Sequence, residues 1–158
     1  MNKKKIIKIG LILLISGVVI GGSIVLYMFN MPHRDVQSAR TDMILTTDDL
    51  VSEYLADATT ANNKYLDEEG ESKILEITGT VFSVGEDFNG NAEVLLKSTD
   101  GKAGVNCTFT KETSSKISNI TVGDNITVKG VIQSGASYDE DLEMYENVIM
   151  DKCDITKK

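Results

Sequence analysis

Ile74-Leu-Glu-Ile-Thr-Gly-Thr-Val-Phe-Ser-Val84 is rich in β-branched residues and alternates apolar with polar positions, the pattern of a strand with one face in a core. It is long for a strand, and Gly79 near its middle marks a bend or bulge that lets it curve. The pattern repeats downstream. Gly85 to Asn91 reads as a turn, Ala92 to Lys97 and Gly104 to Thr110 as a pair of strands around Ser98-Thr-Asp-Gly101, and Ser114 to Ile120 as a short helix. Val122-Gly-Asp124 turns the chain into a strand over Asn125 to Gln133, again with a glycine in mid-strand, Gly130. Asn147 to Ile155 is the last strand, reached through an acidic loop from Gly135 to Glu146.

Five strands, a short helix between the third and fourth, and glycines where long strands must bend match the partly open Greek-key barrel called the OB-fold. Another small β-barrel ranks second. A sandwich would need more turn signals than the sequence carries. Upstream, Thr47 suits a helix N-cap, Asp48 and Asp49 suit the positive end of the helix dipole, and Leu50, Tyr54, Leu55, Ala58, Ala61 and Tyr65 recur at helical spacing. One amphipathic helix is expected from Asp48 to Leu66, broken by Asp67-Glu-Glu-Gly-Glu-Ser72. The fold class is mainly β with added helix (α+β): an OB-fold-like barrel over 72–158, with a helix over 47–71 packed on it.

The N-terminal part is of a different kind. Ile9 to Phe29 is a run of 21 residues without a charge, which as a helix spans the ~30 Å hydrocarbon layer of a bilayer. Lys3, Lys4, Lys5 and Lys8 precede it, so the expected arrangement is a basic tail over 1–8 in the cytoplasm, a single transmembrane helix over 9–29, and the remainder exported. The rival is a cleaved signal peptide, but Ile24 to Phe29 continue apolar after the small residues Gly21, Gly22 and Ser23. Gly17 and Gly21 form a GxxxG spacing that would let two such helices pair. Residues 30–46 show no sustained period and hold the only proline, so they read as a juxtamembrane linker.

All 24 acidic residues follow the apolar run, together with 12 of the 16 basic ones, a formal charge of −12 for that part. Such a surface disfavours nucleic acid and anionic lipid, whose binding draws on Lys and Arg contacts and counterion release. Basic proteins and divalent cations remain compatible. Catalysis has little to stand on: one histidine, His33, no GxSxG or HExxH motif, and no Gly-rich phosphate loop after a strand. No cofactor is expected. Cys107 and Cys153 are the only cysteines, on the third and fifth barrel strands, which are neighbours in the OB topology. Outside the cytoplasm they would either form a disulfide or remain two buried thiols. Asp139, Asp141 and Glu143 in the acidic loop are oxygen ligands of the kind calcium takes, without the spacing or turn glycine of an EF-hand; the alternative is a solvated loop. Phe88, Tyr138 and Tyr145 are aromatics at loop positions where OB-folds often bind ligands.

Met31-Pro-His-Arg-Asp-Val36, Leu50 and Tyr54, Ala61-Asn62, Tyr65-Leu-Asp67, Ile77-Thr-Gly-Thr-Val81, Gly104-Val-Asn-Cys107, Val122-Gly-Asp124, Val128-Lys-Gly130 and Cys153 together resemble the tRNA_anti-like group. The resemblance implies the OB-fold and a small bacterial protein, often membrane-anchored. It brings no catalytic residue and no ligand with it. The expected function is a non-enzymatic binding or assembly module at the outer face of the cytoplasmic (inner) membrane, recognising a protein, a peptide or an envelope polymer. The alternative is an extracytoplasmic domain that senses a small ligand or a cation.

Overall fold

The computed structural model describes residues 3–29, 34–67 and 72–158. They fall into two units, one N-terminal to Arg34 and one from Arg34 to Lys158.

The first unit is helix α1, Lys3–Phe29. Its side chains are described from Leu13 to Met28, and all of them are exposed. Among the described residues no helix is long and apolar enough to cross a membrane. Those 16 side chains cover about 24 Å at 1.5 Å per residue, and the expected span over 9–29 extends beyond them at both ends. The motif residues Met31, Pro32 and His33, and the helix breaker Glu68 to Glu71, lie outside the described residues.

The second unit is built on β2, Ile74–Glu86. Ile74, Leu75, Ile77 and Val81 are fully buried, each worth roughly 1.5–3 kcal/mol relative to exposure. The other strands are β1 (Met43–Thr46), β3 (Ala92–Leu96), β4 (Val105–Phe109), β5 (Asn125–Ser134) and β8 (Val148–Lys157), with β6 (Ser137–Asp139) and β7 (Met144–Glu146) as a separate hairpin. The main sheet runs β1-β2-β3-β4-β8-β5, and β5 returns to pair with β2. Five strands thus close into a barrel, as expected of an OB-fold. Between β4 and β5 lies a 3₁₀ turn, Ser114–Asn119, where the short helix was expected.

The bend in β2 falls between Val81 and Ser83, two residues past Gly79. Gly79 serves a different purpose: a Cβ there would lie 2.1 Å from Thr47 Oγ1 and 3.2 Å from Leu96 Cβ. Its hydrogen lets the first turn of a helix sit directly on the strand. In β5 the register does shift across Gly130, between Lys129 and Val131.

The expected single helix is two. α2 (Thr47–Ala56) and α3 (Ala58–Tyr65) meet at Asp57, which ends one and caps the other. Asp57 Oδ1 accepts from Thr60 N at 3.0 Å and Oδ2 from Thr60 Oγ1 at 2.7 Å. A carboxylate that satisfies the backbone in extended geometry competes with continued helix. The N-cap is Thr46, not Thr47: Thr46 and Asp49 form a reciprocal capping box, while Thr47 is buried with its hydroxyl donating to Thr78 O at 3.4 Å. Across the corner, Glu53 accepts from Lys64 Nζ at 2.7 Å and from Tyr65 Oη at 2.7 Å. The Lys64 bond, then the Tyr65 bond, hold the Glu53 carboxyl below its usual range.

Nor are residues 34–46 a linker. Val36 is buried with Ile74 and Val131, and Met43–Thr46 pair in parallel with β2 from Leu75 to Thr78. Asp42 N donates to Ile74 O at 2.8 Å, and Ile74 N donates to Asp42 Oδ2 at 2.8 Å. Lys129, 8% exposed, donates to Gln37 O at 3.0 Å and to Ala39 O, and Gln37 Nε2 donates to Lys152 O at 2.7 Å. These bonds strap the segment to β5 and β8. A polar, aperiodic sequence hides such a strap because backbone carbonyls are its main acceptors.

Candidate tyrosine groove

The expected acidic loop folds as a hairpin in which Tyr138 stands opposite Tyr145. Their ring centroids are 4.8 Å apart and tilted by 54°. Cross-strand aromatic pairing of this kind stabilises a short ribbon that has few other contacts. The two rings line a groove of about 420 Å³ whose other wall is the α2–α3 corner, with Tyr54, Leu55 and Ala58. Lys102 completes it, its Nζ 5.4 Å from the Tyr145 ring centroid.

The base of the groove is fixed by one close approach. A Cβ on Gly135 would lie 2.0 Å from Tyr54 Cε1 and 2.1 Å from Cδ1, so the hairpin's base can reach the helix only without a side chain at this position. Tyr54 is 2% exposed and stacks at 5.9 Å on Tyr65. Its hydroxyl finds no hydrogen-bond partner among the described residues. Burial, then the neighbouring Tyr65, pushes that hydroxyl up to about 12, so it is a proton donor at every physiological pH.

Of the three aromatics picked out from the sequence, the structure brings Tyr138 and Tyr145 together and leaves Phe88 elsewhere. Phe88 stands fully exposed on the β2–β3 turn and lines a separate cavity of about 390 Å³ with Glu86, Asp87, Glu93 and Asn106. The turn is organised by Asp87, which accepts from Asn89 N and Asn91 N at 2.8 Å each. The sequence reading did not include Tyr54 and Lys102 in the site. Tyr54 looks like an ordinary core position of an amphipathic helix, and Lys102 sits in an unremarked turn; only the hairpin's fold-back makes them neighbours.

The acidic side chains do not converge. Asp139 Oδ1 accepts from Asp141 N at 2.8 Å and from Leu142 N at 2.9 Å, shaping the hairpin turn. Glu143 takes a left-handed backbone, φ 52°, to close it. Asp139, Asp141 and Glu143 therefore do not assemble as ligands; among the described residues no group of three or more such side chains could hold a metal ion. The expectation that β4 and β8 are neighbours holds: they pair in parallel, Cys107 opposite Met150 and Phe109 opposite Cys153. Both cysteines are free thiols, fully buried. Cys153 Sγ donates to Met150 O at 3.5 Å, and burial first, with the Cys107 thiol beside it second, pushes its pKa well up.

The tRNA_anti-like family model matches residues 1–141. No curated protein sequence matches this one. Among solved structures, a proposed nucleic acid-binding lipoprotein from Klebsiella pneumoniae subsp. pneumoniae MGH 78578 superposes with a TM-score of 0.52 at 13% identity, covering 80% of this chain and 100% of its own. The mitochondrial single-stranded DNA-binding protein Rim1 from S. cerevisiae gives a TM-score of 0.36 at 13% identity, over 54% of this chain and 96% of its own. Asparaginyl-tRNA synthetase from Entamoeba histolytica gives 0.38 at 17%, over 54% of this chain and 21% of its own. At these identities the first likeness speaks for a shared fold.

Proposed function

We propose that this chain, which belongs to the tRNA_anti-like family, is a membrane-tethered, non-enzymatic binding module of the cell envelope that recognises a protein, a peptide or an envelope polymer. The observation that carries the reading is the tyrosine groove. Paired aromatics with one flank exposed, a neighbouring ammonium and an apolar wall supply contact area and orientation at small cost in side-chain entropy. The lining offers hydroxyls, one cation and apolar surface, a set suited to holding a partner rather than to transforming it. The formal charge of −12 after the apolar run, with Lys102 the only base in the groove's described lining, weighs against a polyanion.

The tether is α1. Its described side chains are exposed on every side and nearly all apolar, which suits lipid and not water. The four lysines ahead of Ile9 favour a cytoplasmic N-terminus and an exported barrel. Space for a Cβ at Gly17 and Gly21 is open, which suits a second helix of the same kind. The test is photo-crosslinking of the full-length protein in its native membranes, alongside a Tyr138→Ala/Tyr145→Ala variant. A partner captured by the parent and lost with the variant supports the reading; identical capture by both refutes it.

A further inference from the structure

We infer that the groove takes a proline-rich peptide in the polyproline II conformation, with an Arg or Lys beside the prolines held by the acidic tip of the β6–β7 hairpin. This deepens the binding-module reading above and rests on it.

Shape comes first. Tyr138 and Tyr145 are in contact, tilted by 54° with centroids 4.8 Å apart, so they present an angled aromatic wall to the groove rather than a flat platform. Pyrrolidine rings pack against aromatic walls, and a polyproline II segment is already extended before it binds, so little chain entropy is lost. A nucleobase would instead ask for an open ring face beside several cations.

Hydrogen-bond polarity points the same way. The polar side chains along the groove are the Tyr138 and Tyr145 hydroxyls, the Lys102 ammonium and Ser137, whose hydroxyl already donates to Glu146; no carboxylate is among its described lining residues. Proline has no N–H, and polyproline II makes no internal hydrogen bonds, so the ligand presents carbonyl acceptors and almost no donors. A donor-rich groove is complementary to that. The Tyr54 hydroxyl is sealed beneath the wall, so the donors a bound carbonyl meets are those of Tyr138, Tyr145 and Lys102.

Charge fixes the flank. Glu140, Asp141 and Glu143 are exposed on the turn next to Tyr138 and Tyr145, with Asp139 at its base and no basic residue between Ser137 and Asn147. A cation following the prolines meets carboxylates there, whereas a phosphate backbone would be repelled.

The test uses full-length protein in non-ionic detergent and fluorescence anisotropy with labelled octaproline carrying two C-terminal arginines. Controls are the same tail on a Gly-Ser peptide, octaproline without the tail, oligothymidylate and a chitin oligosaccharide. The arginine-tailed octaproline is expected to bind about tenfold more tightly than the Gly-Ser peptide, with that advantage lost in Tyr138→Ala and reduced but not lost in Tyr138→Phe, which keeps the ring without its donor. Tyr138 is 49% exposed, so its replacement leaves the barrel folded. An Asp141→Asn/Glu143→Gln variant should weaken the tailed peptide about threefold or more and leave untailed octaproline unchanged. Equal binding of the proline and Gly-Ser peptides, indifference to Tyr138→Ala, or preference for either of the other polymers overturns the inference. If the proline peptide fails while membrane crosslinking stays tyrosine-dependent, the peptide class falls and the binding module stands. If tyrosine-dependent crosslinking fails as well, both fall.

Discussion

Gly135→Ala adds one methyl group at the point where the hairpin meets α2, and its effect follows from three distances. The new Cβ would sit 2.0, 2.1 and 2.8 Å from Tyr54 Cε1, Cδ1 and Cζ, where ordinary contact begins at 3.4 Å. The ring must retreat by about 1.4 Å, and it is rigid, 2% exposed and backed by Tyr65. Overpacking of this kind costs about 1–3 kcal/mol, and a ring that cannot swing aside puts the cost near the top of that range. Against a total stability of about 5–15 kcal/mol this lowers the thermal midpoint by roughly 10 °C. In a Tyr54→Val background the three clashing atoms are gone. Gly135 does not occupy the left-handed region, so with those three atoms removed the same alanine should lose most of its cost. A double-mutant cycle from urea unfolding of full-length protein in detergent should then give a coupling of about 1–3 kcal/mol. Equal destabilisation in both backgrounds would show that Gly135 is needed for its backbone and not for the approach of Tyr54.

Three further outcomes are expected. Lys129→Met leaves the carbonyls of Gln37 and Ala39 without their donor, costing about 2 kcal/mol, and hydrogen exchange should quicken over residues 36–42 before the barrel strands respond. Glu53 has a lowered carboxyl pKa in the folded state, so its clasp contributes fully above the ordinary value of 4.5 and is lost as pH falls through the folded value. Stability should therefore fall more steeply below pH 4.5 in the parent than in Glu53→Gln, and parallel acid limbs would contradict this. Cys107 and Cys153 are buried free thiols, so a thiol reagent should find neither in the native protein and both after denaturation; finding neither after denaturation would reveal a bond between them.

The barrel was legible because its strands have one wet and one dry face, which alternation in Ala92–Leu96 and Val105–Phe109 records directly, while Ile74–Glu86 announces itself by its β-branched residues and is buried mainly up to Val81. What escaped has other causes. Met43–Thr46 is only four residues long, too short for a period to show. Asp57 splits a helix whose apolar spacing continues across the break, because its carboxylate caps α3 while the buried face is carried on by Ala61 and Tyr65. Tyr138 and Tyr145 could be picked out as loop aromatics, yet their being opposite one another depends on Asp139 and Glu143 turning the chain between them. Tyr54 and Lys102 joined the groove through tertiary approach alone, for which local sequence holds no signal.

The sheet order places β8 between β4 and β5, and this bears on how the protein is made. Synthesis delivers the N-terminal end first, so β2, β3 and β4 can pair while β8 is still inside the ribosome. Until residues 148–157 emerge, β4 and β5 each present an open row of peptide groups, the kind of edge that recruits strands from other chains. The strap to Lys152 cannot form until then either. The period of greatest aggregation risk thus ends only with delivery of β8, and a nascent chain stalled before Val148 would be held open at two edges.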